Sequence, residues 1–203
     1  MARPVSTDTP APTNPWTVLS SRDIYRNPWI AVEEHQMRTP AGTPGIYGIV
    51  RFVHTAVGCI PIHEDGTTVL IGQWRVPLGC YSWEIPEGGG KPGENPRLTA
   101  ARELAEEAGL VASSWADLVE MDLSNSVTDE RAHVYLCWDL SPVATAPEET
   151  EQLAIRRLPF AEAYRLAVTG GIRDSLSVAG LMRARLLAFE GGLPEALARH
   201  LRP

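Results

Sequence analysis

Three glutamates, Glu103, Glu106 and Glu107, stand at positions i, i+3 and i+4, directly after an arginine, Arg102. On a helix that spacing puts the three carboxylates on one side. Like charges so grouped repel one another unless a cation compensates them, and Arg102 alone cannot neutralise three. Hard oxygen ligands in this arrangement suit Mg²⁺ or Mn²⁺, ions that keep several waters and share the phosphates of a substrate. A solvated acidic face is the plainer reading of an arbitrary helix of this composition, so the elements around the glutamates must decide.

The helix that would carry them is well marked. Asn95 is a good N-cap, Pro96 suits the first helical position, and Gly109 can end the helix. Leu98, Ala101, Ala105 and Ala108 recur at steps of three or four and give it a face to bury. A Gly/Pro-rich loop precedes it, with Gly88 to Gly90, Pro92 and Gly93. Glu94, at the end of that loop, is placed to pair with Arg102 and fix loop against helix.

The rest of the chain must supply the scaffold. Residues 1–14, rich in Pro, Thr and Ala, suggest a disordered tail. A β segment over 15–56 follows, with turns at Arg26-Asn27-Pro28 and at 39–45. Residues 56–76 have the pattern of a hairpin around Glu64-Asp65-Gly66. Strands are expected at 119–123, 131–140 and 153–160. A polar loop spans 124–130, and a Pro-rich acidic connection spans 141–151. Residues 160–200 are expected to be helical, with a break at Gly170-Gly171. Strands followed by helices favour a sheet covered by helices, the α/β class.

Composition narrows the function. The chain has 203 residues and a net charge of −7, so its overall field does not favour nucleic acid. An anionic substrate then needs a local device, such as a metal ion or a focused arginine pocket. Three cysteines without a CxxC pair indicate neither a disulfide framework nor a zinc site, and a reducing, cytoplasmic setting fits best. No run of 18 apolar residues is present and the N-terminus lacks a signal-peptide core, so no membrane partner is expected. His54, His63 and His133 are expected to be ordinary strand residues.

The glutamates belong to a longer pattern: Gly88, Glu94, Arg102, Glu103, Leu104, Glu106, Glu107, Gly109 and Leu110. This resembles, at every fixed position, the G-x5-E-x7-R-E-U-x-E-E-x-G-U signature of the Nudix hydrolases, with U a bulky aliphatic residue. A chance match in a chain this long is on the order of 10⁻⁷. The resemblance implies a Nudix-type α/β/α sandwich with a mixed sheet over residues 57–203, joined to the N-terminal antiparallel β segment. It also implies metal-dependent hydrolysis of a nucleoside diphosphate linked to another group. It makes Glu103 and Glu107 the main metal ligands, Glu106 a ligand or support, and the backbone carbonyl of Glu87 a further ligand point. Glu94 and Arg102 match salt-bridge positions, and Arg102 is counted with Glu106 and Glu130 in the catalytic set.

Outside the signature, GQWRVPLGCYSWEIPEGG (72–89) resembles the branch that cleaves ADP-ribose and other nucleoside diphosphate sugars, of the ADP-ribose or GDP-mannose type. Arg75 is a candidate to grip a phosphate bidentately. Glu84 is a candidate for a ribose hydroxyl or an extra metal ligand. The 124–130 loop resembles the one that carries the catalytic glutamate, which makes Glu130 the general-base candidate and Asp129 its alternative. In that branch the N-terminal β segment pairs two subunits and helps form the base pocket. Trp16, Tyr25, Trp29 and Tyr47 are then candidates to stack on a base, Arg51 to reach a phosphate, and the chain to form a homodimer. The ADP-ribose-specific enzymes often carry a proline fifteen or sixteen residues past the signature, and none lies between 111 and 141 here. Dinucleoside polyphosphates, NADH or damaged nucleotides are alternative substrates, and a non-catalytic nucleotide sensor is an alternative role.

Overall fold

Alternation along three strands decides the layering. On β4 (Thr55–Pro61) Val57 and Cys59 point to one side, and Ile60, with Ile62 just beyond the strand, points to the other. On β9 (Arg131–Pro142) Tyr135 and Cys137 share the first side, Val134 and Leu136 the second. β5 (Thr67–Arg75) repeats this with Val69 and Ile71 against Leu70. Strands apolar on both faces must be covered on both faces. Helix α1 (Pro96–Ala108) covers one side with Ala100 and Leu104. Helices α2 (Phe160–Val168), α3 (Ser175–Phe189) and α4 (Glu195–Leu201) cover the other, through Phe160, Ala163, Leu181, Ala184 and Leu201 among others. Full burial of one large apolar side chain contributes about 1.5–3 kcal/mol. An exposed ion pair contributes about 0–1 kcal/mol. These two clusters therefore dominate the stability of this part of the molecule.

The computed structural model describes residues 13–145 and 152–202. The expected tail (1–14) falls almost wholly outside them, as does the second half of the 141–151 connection. The chain divides into two compact units between Arg51 and Phe52. The first is a three-stranded sheet in the order β1 (Thr17–Arg26), β2 (Ile30–Arg38), β3 (Pro44–Phe52), with β1 and β2 antiparallel. Its first turn forms where expected, because the Asn27 side-chain oxygen accepts from the amides of Trp29 and Ile30.

The second unit contains a mixed four-stranded sheet and a three-stranded antiparallel one. The mixed sheet runs β7 (Glu87–Gly90), β4, β9, β8 (Leu110–Asp122), with β4 and β9 parallel. The antiparallel sheet runs β10 (Ala154–Pro159), β5, β6 (Cys80–Glu84). This is the α/β/α layering with an N-terminal sheet that the sequence implied.

Two expectations are corrected. The 56–76 hairpin turns as anticipated: His63 N–H donates to Thr67 O at 2.9 Å and Gly66 N–H to His63 O at 2.9 Å. Its two strands nevertheless enter different sheets. β4 is taken between β7 and β9, and β5 between β10 and β6, because each buried strand finds partners on both edges elsewhere. The strand expected at 119–123 begins already at Leu110 and pairs along β9 as the sheet's edge. Its half-exposed Ala/Ser/Trp stretch carries too little apolar signal to mark it.

Gly66 lies at φ +78°, and a Cβ there would meet the His200 ring at 2.5 Å. The left-handed conformation costs an L-residue about 1–2 kcal/mol. Gly66→Ala is expected to lower the calorimetric melting temperature by several degrees through that strain and through displacement of α4.

Candidate active site

Helix α1 forms as its sequence marks it. The Asn95 side chain caps it by accepting from Arg97 N–H at 3.0 Å, and Gly109 closes it by donating to Ala105 O at 3.2 Å. Its glutamates do not share one environment. Glu103 and Glu107 are buried at 9% and 3% exposure, while Glu106 is half-buried. The face that Leu98 was expected to bury is turned differently: Leu98 is exposed, and Thr99, Ala100, Glu103, Leu104 and Glu107 go inward.

Arg102 sits among the carboxylates. One guanidinium nitrogen lies 2.9 Å from Glu103 and 2.8 Å from Glu106, and the other donates to Gly89 O at 3.2 Å. Glu94 pairs with Arg102 as expected, at 3.8 Å, and also accepts from Lys91 N–H at 3.0 Å. Arg102 thus ties α1 to β7 as well as balancing charge. The close approach depends on Gly88, where a Cβ would collide with the Glu103 carboxylate.

The segment leading into the signature adds a second group of acids. Glu84, at the end of β6, is 2% exposed. Glu84, Glu87 and Asp174 bring one carboxylate oxygen each within 4.8 Å of one another. Burial, followed by the charges of Asp174 and Glu84, pushes the Glu87 carboxyl well above the usual carboxylate range. Among the described residues Glu87 Oε2 is buried without a hydrogen-bond partner. The Glu87 N–H donates to Glu107 Oε2 at 2.9 Å, which joins this group to α1. Arg75 pairs with Glu84 in a bidentate contact and with Glu87 at 2.9 Å. The guanidinium expected to grip a phosphate is therefore engaged by two carboxylates here.

Among the described ion pairs of Glu84, Glu87, Glu103 and Glu106, the cations are Arg75 and Arg102. Two monovalent cations against this many partly desolvated carboxylates leave an excess of negative charge. An orphaned buried oxygen and a donor set made only of carboxylates fit a hard divalent cation.

Glu130 lies two residues before Ala132, which pairs with Ala56 on β4. Burial alone raises its carboxyl above the usual range, and among the described residues no hydrogen bond or ion pair links it to the signature glutamates. Asp129 accepts from Phe52 N–H at 3.0 Å. Within the first unit, Arg51 pairs with Glu33 at 3.2 Å, Trp29 is 64% exposed, and Tyr47 makes an edge contact with Trp16 at 5.8 Å. Asp174 is the acid the sequence reading missed. The run Asp174-Ser-Leu-Ser marks a helix N-cap, but nothing in it marks the distant Glu87 as a neighbour.

The NUDIX domain family model matches residues 53–176. The chain belongs to the Nudix family. A model described as the nucleoside diphosphate sugar hydrolase N-terminal domain matches residues 16–50. A protein of Mycobacterium tuberculosis named ADP-ribose pyrophosphatase is 34% identical over 182 residues, covering 88% of this chain and 87% of that one. A Bacillus subtilis protein of the same name is 29% identical over 159 residues, covering 77% and 85%. The crystal structure of an ADP compounds hydrolase superposes with a TM-score of 0.78 at 25% identity, covering 88% and 97% of the two chains. This Nudix chain is accordingly a hydrolase of the pyrophosphatase class. Among its described residues no helix is long and apolar enough to cross a membrane.

Gly88→Ala is expected to keep the fold, because Glu103 can swing aside, yet to weaken divalent-ion binding about tenfold or more. Titration with Mn²⁺ followed by the free-ion resonance signal checks this, with circular dichroism as the control for folding.

Proposed function

We propose that this chain hydrolyses the pyrophosphate bond of an ADP-linked sugar, releasing AMP and a sugar phosphate, with ADP-ribose the first substrate to test. The observation that carries this reading is the excess of buried carboxylate around Glu87 and Gly88. It would repel a polyanionic pyrophosphate unless divalent cations stood between them. Glu103, Glu106, Glu107 and the backbone carbonyl of Glu87 would hold Mg²⁺ or Mn²⁺, which when bound neutralises phosphate charge and lowers the pKa of a coordinated water.

The chain's own residues do the rest. Water attacks one phosphorus, the bridging P–O bond breaks, and two phosphate monoesters leave. Glu130, raised by burial, is a suitable base to take the water's proton. Arg102 holds Glu103 and Glu106 at fixed spacing. Arg75 keeps about a third of its side chain exposed and can turn that edge to a phosphate while Glu84 holds the other. Trp29, Tyr47 and Arg51 of the N-terminal sheet are proposed to contact the base and a phosphate. A homodimer is proposed as well, because β1 leaves Val18, Leu19, Ile24 and Tyr25 each more than half exposed. Three reduced cysteines agree with a cytoplasmic setting.

With Mg²⁺, nucleoside monophosphate release from ADP-ribose is expected to exceed release from GDP-mannose, diadenosine polyphosphates or NADH, and chelation is expected to abolish it. Glu107→Gln should lower kcat/KM by about 10³-fold or more. Glu130→Gln should lower kcat by about 10²–10⁴-fold with KM little changed. Full activity in Glu107→Gln would overturn the metal assignment. Sedimentation at micromolar concentration is expected to give twice the monomer mass.

A further inference from the structure

The segment Glu84–Glu87 has no regular secondary structure at its centre, yet three consecutive backbone groups in it are fixed by three different elements. Cys59 N–H on β4 donates to Pro86 O at 2.9 Å. Glu87 N–H donates to Glu107 on α1. The third anchor comes from α3, on the opposite layer. The Ile85 N–H donates to the Ser177 hydroxyl oxygen at 2.9 Å, a buried contact across 92 residues of sequence. Ser177 is 0% exposed, as is Ile85. The serine is itself held, because its own N–H donates to the Asp174 carboxylate at 2.7 Å.

We propose that Ser177 is a positioning residue of the active site. Resting on the hydrolase reading above, it sets the aim of Glu84 and of the Glu87 carbonyl, while Asp174 locks the helix turn that carries it. The geometry favours this over a packing role. A hydroxyl in an apolar interior must find a partner, and an aliphatic residue could fill the same space at the start of α3. What an aliphatic residue cannot do is fix the peptide that joins Glu84 to Ile85. Both acids flank that peptide within three residues, so a small rotation there moves Glu84 and Glu87 together. The distance between the carboxylates of α1 and those of Glu84 and Glu87 then depends on the first turn of α3.

The test compares wild type, Ser177→Ala and a core variant of comparable stability loss, Ile172→Val, whose side chain is buried beside the same helix. Mn²⁺ binding without substrate reads the site directly and does not depend on the choice of nucleotide. Ser177→Ala is expected to weaken Mn²⁺ binding about tenfold and to lower kcat for ADP-ribose by a similar factor, with KM within about twofold of wild type. Ile172→Val should lower the melting temperature and leave both readings in place. If Ser177→Ala does not fold, Ser177→Cys, nearly the same size and a weak hydrogen-bond acceptor, gives the same comparison. The proposal is overturned if the serine variant melts earlier yet binds Mn²⁺ as wild type does. Wild-type protein that binds Mn²⁺ but leaves ADP-ribose intact would sink the substrate assignment and not the positioning role.

Discussion

The constraint behind this structure is the burial of carboxylates. Glu84, Glu103 and Glu107 are at most 9% exposed, and Glu87 is nearly as deep. Taking an ionised carboxylate from water costs several kcal/mol even after relaxation, and a nearby opposite charge offsets that only with good geometry. A fold does not accumulate four such groups for stability. Each needs a guanidinium, a backbone amide or a cation, and the elements are arranged to supply them. Arg75 serves β6 and the segment after it, Arg102 serves α1, and the Glu87 amide serves Glu107. What remains unbalanced is negative charge around Glu87, where among the described residues an oxygen lies buried with no partner.

The two arginines divide the work. Arg102 binds acids of its own helix and a carbonyl of β7, so it makes the signature a rigid unit. Arg75 binds acids of β6 and of the segment after it, outside the helix. The unit built around Arg102 holds carboxylates at fixed spacing within one helix and strand. The group around Arg75 instead draws on several elements, with Glu84 on β6, Glu87 on β7 and Asp174 at the start of α3.

Much of this was legible in the chain before folding was considered. Asn95, Pro96 and Gly109 delimit α1 because capping is local chemistry, and Asn27 marks its turn for the same reason. Strand partners were not legible. The Asp65-Gly66 turn specifies only that the chain reverses, and the choice of β9 over β5 as neighbour of β4 is made by residues more than seventy positions away. Asp174 escaped for a related reason. Its sequence context announces an N-cap, and the feature that brings it against Glu87 is a serine hydroxyl three residues on, bonded to an amide in another layer.

The glycine at the head of the signature shows how a pattern position becomes a physical one. From sequence, Gly88 is a fixed letter in a loop that tolerates many others. In the fold it is a strand residue on β7, paired with Val57, and the side of it that lacks a side chain is where the Glu103 carboxylate lies. Any Cβ there would push that carboxylate away from Arg102 and break the spacing to Glu107. Gly88 is therefore required by the space the acid needs, not by an unusual backbone angle. That requirement joins strand to helix: β7 is bare where the Glu103 carboxylate lies, while Glu107 one turn on accepts the Glu87 amide. The buried acids, the bare strand and the arginine between them form one arrangement, in which changing any member displaces the others.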